Sequence, residues 1–341
     1  MAAVLQSQKT ALITGAASGI GFAVAKLCRS RGMHLALLDV DATNLPKAKE
    51  ALAKSGSSDA SLKTETYTID VGDKSQWDSV AARVKDTFPS LDLVLLNAAR
   101  GTKPNDGGDP WVGNMEYWKQ VRGQILYIHT YMTYGYACRL CRSASLTNGL
   151  VTLNKQIFDT NVFGPINGVS ALLPLLKAGD KSPKSIVITG SKQGITNPPG
   201  GGNPAYNSTK GAIKILTEHL AHDLRSNEVT AHISAHLLVP GWTFTGMSGN
   251  VGPTDEKEVK KPNGAWAPSQ VAQELESALE RGSFYVICPD DDVDRALDQA
   301  RMQWGTDDIL EDRPALSRWE GEWKGKAEKA IQEDAKRRRA V

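Results

Sequence analysis

Two side chains able to move a proton lie four residues apart in Pro-Ala-Tyr-Asn-Ser-Thr-Lys-Gly-Ala-Ile-Lys-Ile, residues 204–215. They are Tyr206 and Lys210. On a helix both project from one face, one turn apart. An ammonium beside a phenol favours the phenolate. The spacing therefore predicts a Tyr206 hydroxyl titrating below its usual value of about 10, fit for acid–base work near neutral pH. Tyrosine and lysine meet this way by chance on many solvated helices. The pair gains meaning only from what else the chain brings to it.

The elements that must position the pair are legible as a rhythm. Thr10 to Thr14 is a short apolar run, and Gly15-Ala-Ala-Ser-Gly19-Ile-Gly21 follows it. An amphipathic stretch, Phe22 to Arg31, leads to a second apolar run, His34 to Val40. Strand, glycine turn, helix and strand within about 30 residues make a βαβ unit. The pattern continues. Helices are expected over 45–55, 74–87, 206–225 and 268–281, and strands over 64–71, 91–97, 185–190, 230–239 and 284–288. Seven strands alternating with helices predict an α/β fold, one doubly wound Rossmann-like domain with a parallel sheet, over residues 1–290. Residues 291–341 read as a C-terminal helical extension, its last dozen residues frayed. The acids Asp290, Asp291 and Asp292 read as the start of a helix rather than a metal site, because carboxylates suit a helix N-terminus. No metal is expected.

A glycine turn after a strand and before a helix lets the backbone approach a pyrophosphate, and the helix supplies free amides. Asp39, at the end of the second strand, can accept hydrogen bonds from ribose hydroxyls and would repel a 2′-phosphate. The turn holds no Lys or Arg. NAD is therefore the expected cofactor, with NADP second.

Composition narrows the rest. The chain has 341 residues and a formal net charge of +2, which gives no case for nucleic acid or a membrane as partner. No stretch approaches a membrane span, and the N-terminus lacks the regions of a signal peptide. Cys28, Cys138, Cys141 and Cys288 form no disulfide framework. Cys138 and Cys141 are spaced as zinc ligands but lack a second pair. A cytoplasmic location is the expectation. The basic run Lys336 to Arg339 reads as a solvated tail rather than a nuclear signal.

With the turn, an Asn, a Ser and the Tyr-x3-Lys pair in order, the chain resembles the short-chain dehydrogenase/reductase superfamily over roughly 8–290. The Thr14-Gly15-x3-Gly19-x-Gly21 turn, with Ser18 and Ile20, matches its phosphate-binding motif. Asp70-Val71 matches its adenine-contacting pair. Asn97-Ala98-Ala99 stands where the family has Asn-Ala-Gly, so a Cβ at Ala99 is a departure that could crowd the cofactor. Pro240-Gly241-x3-Thr245, with Thr243, matches the loop at the nicotinamide. The resemblance implies roles. Tyr206 exchanges a proton with the substrate oxygen, and Lys210 lowers its pKa and holds the nicotinamide ribose. Ser191 holds the substrate oxygen, and Asn161 fixes a water that links Lys210 to solvent. Gln193 and Trp242 are candidate substrate contacts, with 244–268 as a closing flap. The implied activity is interconversion of a secondary alcohol and a ketone, in a homodimer or homotetramer pairing the helices of Asn161 and Tyr206. The rival is a non-catalytic NAD-binding protein of the same fold. A sugar-nucleotide epimerase or dehydratase is disfavoured, since that branch carries Gly-x2-Gly-x2-Gly.

One segment breaks the rhythm. Residues 121–156 contain no Asp, Glu or Pro, yet hold four of the eight tyrosines and two of the four cysteines. Lys119-Gln120 before the segment recurs as Lys155-Gln156 at its end. With 121–156 removed, Trp118, Ile157, Phe158, Asn161 and Val162 fall at i, i+3, i+4, i+7 and i+8, one helical stripe. Its ends can be encoded as GT and CAG, and Leu146-Thr147-Asn148 by a branch sequence. The segment is read as translated intron, with a genuine surface insertion as the alternative.

Overall fold

A computed structural model describes residues 4–55, 59, 61–101, 157–199, 204–256 and 258–340. The segment 121–156 lies outside them, as do Cys138 and Cys141.

Seven parallel strands form the sheet: β1 (Thr10–Thr14), β2 (His34–Asp39), β3 (Thr64–Thr68), β4 (Leu93–Leu96), β5 (Lys184–Thr189), β6 (Ile233–Val239) and β7 (Tyr285–Ile287). Their order is β3-β2-β1-β4-β5-β6-β7. The sheet grows one way from β1 through β3, then the other way from β4. The reversal between β1 and β4 opens a crevice at the carboxyl ends of the strands.

Helices α1 (Gly19–Ser30), α2 (Asn44–Ser55), α3 (Lys74–Thr87), α4 (Gly164–Ala178), α5 (Pro204–Arg225) and α6 (Pro268–Glu280) cover both faces. Side chains along a strand alternate between the two cores. In β2, Leu35 and Leu37 join the layer that holds Leu275 of α6, while Ala36 and Leu38 join the one that holds Trp77, Leu172 and Ile213. Both faces are covered, so the strands read as continuous apolar runs. Trp77 is fully buried and its indole N–H donates to the Val71 carbonyl at 2.9 Å. That bond fixes the chain just beyond Asp70.

Asn161 enters on one π-helical turn, Asp159–Phe163, that runs directly into α4. Ser191 follows β5 and begins a tight turn, with one helical turn at Gln193–Thr196.

The C-terminal extension departs from expectation in two ways. Helices α7 (Arg295–Leu310) and α8 (Gly321–Arg339) pack through Leu297, Ala300, Trp304, Ala327, Ile331 and Ala335. The described residues of the tail, up to 340, do not fray. α8 runs to Arg339, whose guanidinium donates to both carboxylate oxygens of Asp294, at 2.6 and 3.1 Å. The acids at 290–292 do not begin the helix either. Asp294 is the N-cap of α7, accepting from the Leu297 amide at 2.8 Å. No described helix is long and apolar enough to cross a membrane.

Candidate active site

A cavity of about 640 Å³ occupies the crevice. One end is the glycine turn with Asp39; the other holds Ser191, Tyr206 and Lys210.

The turn is shaped by close approach. Gly15 and Gly19 have φ of +66° and +52°, a region that favours glycine. A Cβ at Gly21 would lie 2.1 Å from the Gly15 carbonyl oxygen. The Cβ of Thr245 would be met at 3.0 Å by a Cβ at Gly19, so the loop after β6 rests on the turn. α1 starts without a side-chain cap at Ser18 and without an acid in its first turn. Its first amides are left to an anion, and the positive end of its dipole faces the crevice. These residues fit a dinucleotide.

Asp39 also organises this end. Its carboxylate accepts from the Ala17 amide at 2.9 Å and the Asp41 amide at 3.0 Å. The same acid therefore braces the turn and lines the cavity. Asp70 and Val71 line it too, with the Asp70 side chain accepting from the Gly72 amide at 2.9 Å. Asn97 is held from two sides. Its amide donates to Thr14 Oγ1 at 2.8 Å, and its side-chain oxygen accepts from Thr189 Oγ1 at 3.2 Å. Ala99 has no positive φ, so its Cβ carries no backbone strain where the family has glycine.

At the other end α5 presents Tyr206 and Lys210 one turn apart. Tyr206 packs beside Ile157, Phe158 and Ala205. Its phenol shares the cavity wall with Ser191. Lys210 is buried; its Nζ donates to the Thr189 carbonyl at 2.8 Å and lies 5.7 Å from the centre of the Tyr206 ring.

The expected fall in the Tyr206 pKa does not occur. Burial pushes the phenol up, and Ser191 offsets part of that rise. The Lys210 ammonium is anchored on a backbone carbonyl rather than on the phenol oxygen. Burial brings Lys210 itself down from 10.5 to about 8.

Asn161 sits at the start of the helix facing α5. It is 1% exposed and its side chain is engaged with protein. Its oxygen accepts from the Arg100 amide at 2.7 Å; its nitrogen donates to the Arg100 carbonyl at 2.9 Å and to Thr209 Oγ1 at 3.2 Å. It clamps the loop after β4 to α5, beside the cavity rather than in it.

Of the nicotinamide-loop candidates, Pro240, Gly241, Thr243 and Thr245 line the cavity, as do Ser18 and Ile20. Gln193 and Trp242 do not. Gln193 is exposed, its amide donating to Ser191 Oγ at 3.2 Å, and Trp242 is 48% exposed. Sequence reasoning missed Val40, Arg100, Thr160 and Met247, which line the cavity. Val40 could have been found, being the residue directly after the strand-end acid. The others carry no spacing signal. Among the described residues, no group of His, Cys, Asp and Glu is placed to hold a metal.

A parallel sheet with a glycine turn at its switch point defines a nucleotide-binding α/β protein, and the Ser191–Tyr206–Lys210 group adds acid–base chemistry to it. The model of the short chain dehydrogenase family matches residues 9–121 and 146–256, and the chain belongs to that family. It is 27% identical over 241 residues to the uncharacterized oxidoreductase YhxC of Bacillus subtilis, covering 69% of this chain and 65% of that protein. The chain thus spans just under two thirds of that relative's length. It is also 27% identical to the 2,3-dihydro-2,3-dihydroxybenzoate dehydrogenase of Bacillus subtilis, covering 70% of this chain and 71% of the other. A short chain dehydrogenase/reductase from Burkholderia phymatum, solved in complex with NAD, superposes with a TM-score of 0.66 at 24% identity. That likeness covers 90% of this chain and 96% of the other. The chain has the nucleotide-binding Rossmann fold of this family.

Proposed function

We propose that the protein interconverts a secondary alcohol and a ketone, with NAD preferred over NADP. The observation that carries the reading is the gathering of Ser191, Tyr206 and Lys210 at one end of a cavity whose other end is the glycine turn and Asp39. A dinucleotide laid along the cavity supplies or takes up the hydride. Ser191 holds the substrate oxygen, and the Tyr206 hydroxyl gives it a proton in reduction or takes one in oxidation. Lys210, fixed by the Thr189 carbonyl, sets the charge behind the phenol. Asn161 is a positioning residue that holds the Arg100 peptide at the cavity wall. A raised phenol pKa keeps Tyr206 protonated at neutral pH, which suits proton donation to a carbonyl. Reduction should then fall, and oxidation rise, as pH climbs toward the titration of the phenol. Asp39, braced beside the turn with no cation in it, supports the choice of NAD. The apolar, exposed Phe163, Ile166, Ile215 and Leu216 support pairing with a second copy through α4 and α5.

The test follows NADH and NADPH absorbance with a panel of secondary alcohols and ketones, comparing the full chain with Tyr206→Phe. Turnover with NADH, lost by a thousandfold or more in the variant while NADH still binds, is expected. Equal turnover in the two proteins would refute the assignment. Binding without turnover on any substrate would favour the non-catalytic reading.

A further inference from the structure

Directly after Ser191 in the chain, an ion cluster joins parts of the chain far apart in sequence. Lys192 belongs to the turn that carries Ser191. Its Nζ lies 2.6 Å from Asp298 Oδ2 and 3.3 Å from Asp290 Oδ2. The side chains are 14%, 3% and 8% exposed respectively, so the charges are shielded from water. Asp298 comes from the first turn of α7, in the C-terminal extension. Asp290 comes from the loop after β7, and the same oxygen that meets Lys192 accepts from the Trp242 amide at 3.2 Å. That amide belongs to the loop that opens with Pro240 and Gly241.

The packing around the cluster leaves little slack. A Cβ at Gly241 would lie 2.5 Å from Asp290 Oδ2 and 2.9 Å from Lys192 Nζ. A Cβ at Gly194 would lie 2.4 Å from the Lys210 carbonyl carbon, so the Ser191 turn is wedged against α5 on its other side. The next acid along, Asp291, pairs with Lys261 at the base of the 244–268 segment, and Lys261 also donates to the Ala265 carbonyl at 2.6 Å. Burial raises the Asp298 carboxyl, and Lys192 acts against that rise. The family match ends at residue 256, so neither Asp290 nor Asp298 comes with it.

We propose that Asp298 and Asp290, acting through Lys192, are positioning residues that hold Ser191 and the 240–242 loop in register with Tyr206. The extension is then part of the active site rather than decoration. The physical reason is charge. A buried ammonium seeks its carboxylates strongly, and removing one partner leaves the other charge uncompensated in a dry site. The turn that carries Ser191 is closed by its own short backbone bonds, and the ion pairs tie it in addition to a rigid helix. The proposal rests on the reading of Ser191 and Tyr206 as the proton-handling pair. Its test therefore has one arm independent of turnover.

The first arm measures amide hydrogen exchange by mass spectrometry on the full chain and on Asp298→Asn. Exchange should quicken at least tenfold in 190–196 and 240–243, with no change over β1 and β2. Unchanged exchange in those two segments would overturn the proposal, whatever the substrate proves to be. The second arm measures NADH binding and turnover in Asp298→Asn, Lys192→Met and the double variant. Each single variant should lose tenfold or more in kcat with NADH affinity held within about threefold, and the double variant should lose no more than Lys192→Met alone. Losses that multiply in the double variant, or that appear in NADH affinity instead of kcat, would overturn it. Lys192→Arg and Asp298→Glu keep the charges and should recover most of the turnover. If they do not, charge pairing is not the cause. A wild-type chain without turnover, combined with quickened exchange in Asp298→Asn, would sink the catalytic reading and leave the positioning role standing.

Discussion

Lys210 shows how a functional group can work against the fold that holds it. It is buried, and among the described residues its hydrogen-bond acceptor is one backbone carbonyl, that of Thr189. Its pKa falls from 10.5 to about 8 because burial disfavours the charge. A base whose folded pKa is lowered destabilises the fold while it stays protonated. That cost is whole below pH 8, shrinks between about 8 and 10.5, and is gone above. The size of the shift corresponds to about 3 kcal/mol. Lys210→Met should therefore abolish turnover and yet raise the urea midpoint at pH 7, with the gain vanishing near pH 10.5. A midpoint that falls or stays put at pH 7 would contradict the argument. The Tyr-x3-Lys spacing was readable from residue types alone, because helical geometry follows from it. The direction of the Tyr206 shift was not, because it depends on Ile157, Phe158 and Ala205 closing around the ring. The placement of Asn161 was hidden for the same reason, since its partners are backbone atoms of Arg100.

At the scale of elements, the strands could be located because both faces of the sheet are covered and each strand is a continuous apolar run. In β2 every residue before Asp39 is buried. The boundaries shifted by a few residues where a polar flank pairs in the ladder, as Lys184 does at the start of β5. The short turn at Gln193–Thr196 left no trace in the pattern, since four residues cannot show a helical period. Yet this turn sets the relation of Ser191 to α5. With 2.4 Å between a Cβ at Gly194 and the Lys210 carbonyl carbon, one of the two must move. Gly194→Val should lower kcat by about a hundredfold through the Ser191–Tyr206 distance, while costing roughly 1–3 kcal/mol in stability, the usual range for overpacking. Steady-state kinetics and thermal melts together check this. A variant with full turnover would show that the turn can shift without consequence.

At the scale of the whole molecule, the break in the family match between 121 and 146 falls inside the segment that composition sets apart. The match resumes before Asn161, so the segment enters the chain just ahead of the helix that clamps the Arg100 loop. We infer that the chain without 121–156 is the more stable and more active form. Joining Gln120 to Ile157 should give a protein that melts at least about 5 °C higher and turns over at least tenfold faster than the full chain. Equal melting and equal turnover would favour a true surface insertion, as would transcripts whose reads run unbroken through both ends of the segment. The tail has the opposite character. Arg313 lies 4.2 Å from the ring centre of Trp304 and 5.6 Å from that of Trp323, tying the linker between α7 and α8 to both helices.

The Lys192 cluster has a consequence for descent. A lysine on a bare turn is solvated and needs no partner. Once a helix covers it and supplies Asp298, water can no longer serve. Removing the tail would return Lys192 to water with Asp290 still beside it, so the lysine is compatible with a chain that lacks the tail. The dependence runs the other way: the Asp298 carboxylate, 3% exposed, would be left buried and uncompensated without the lysine. Relatives that carry this carboxylate should be found to share the lysine.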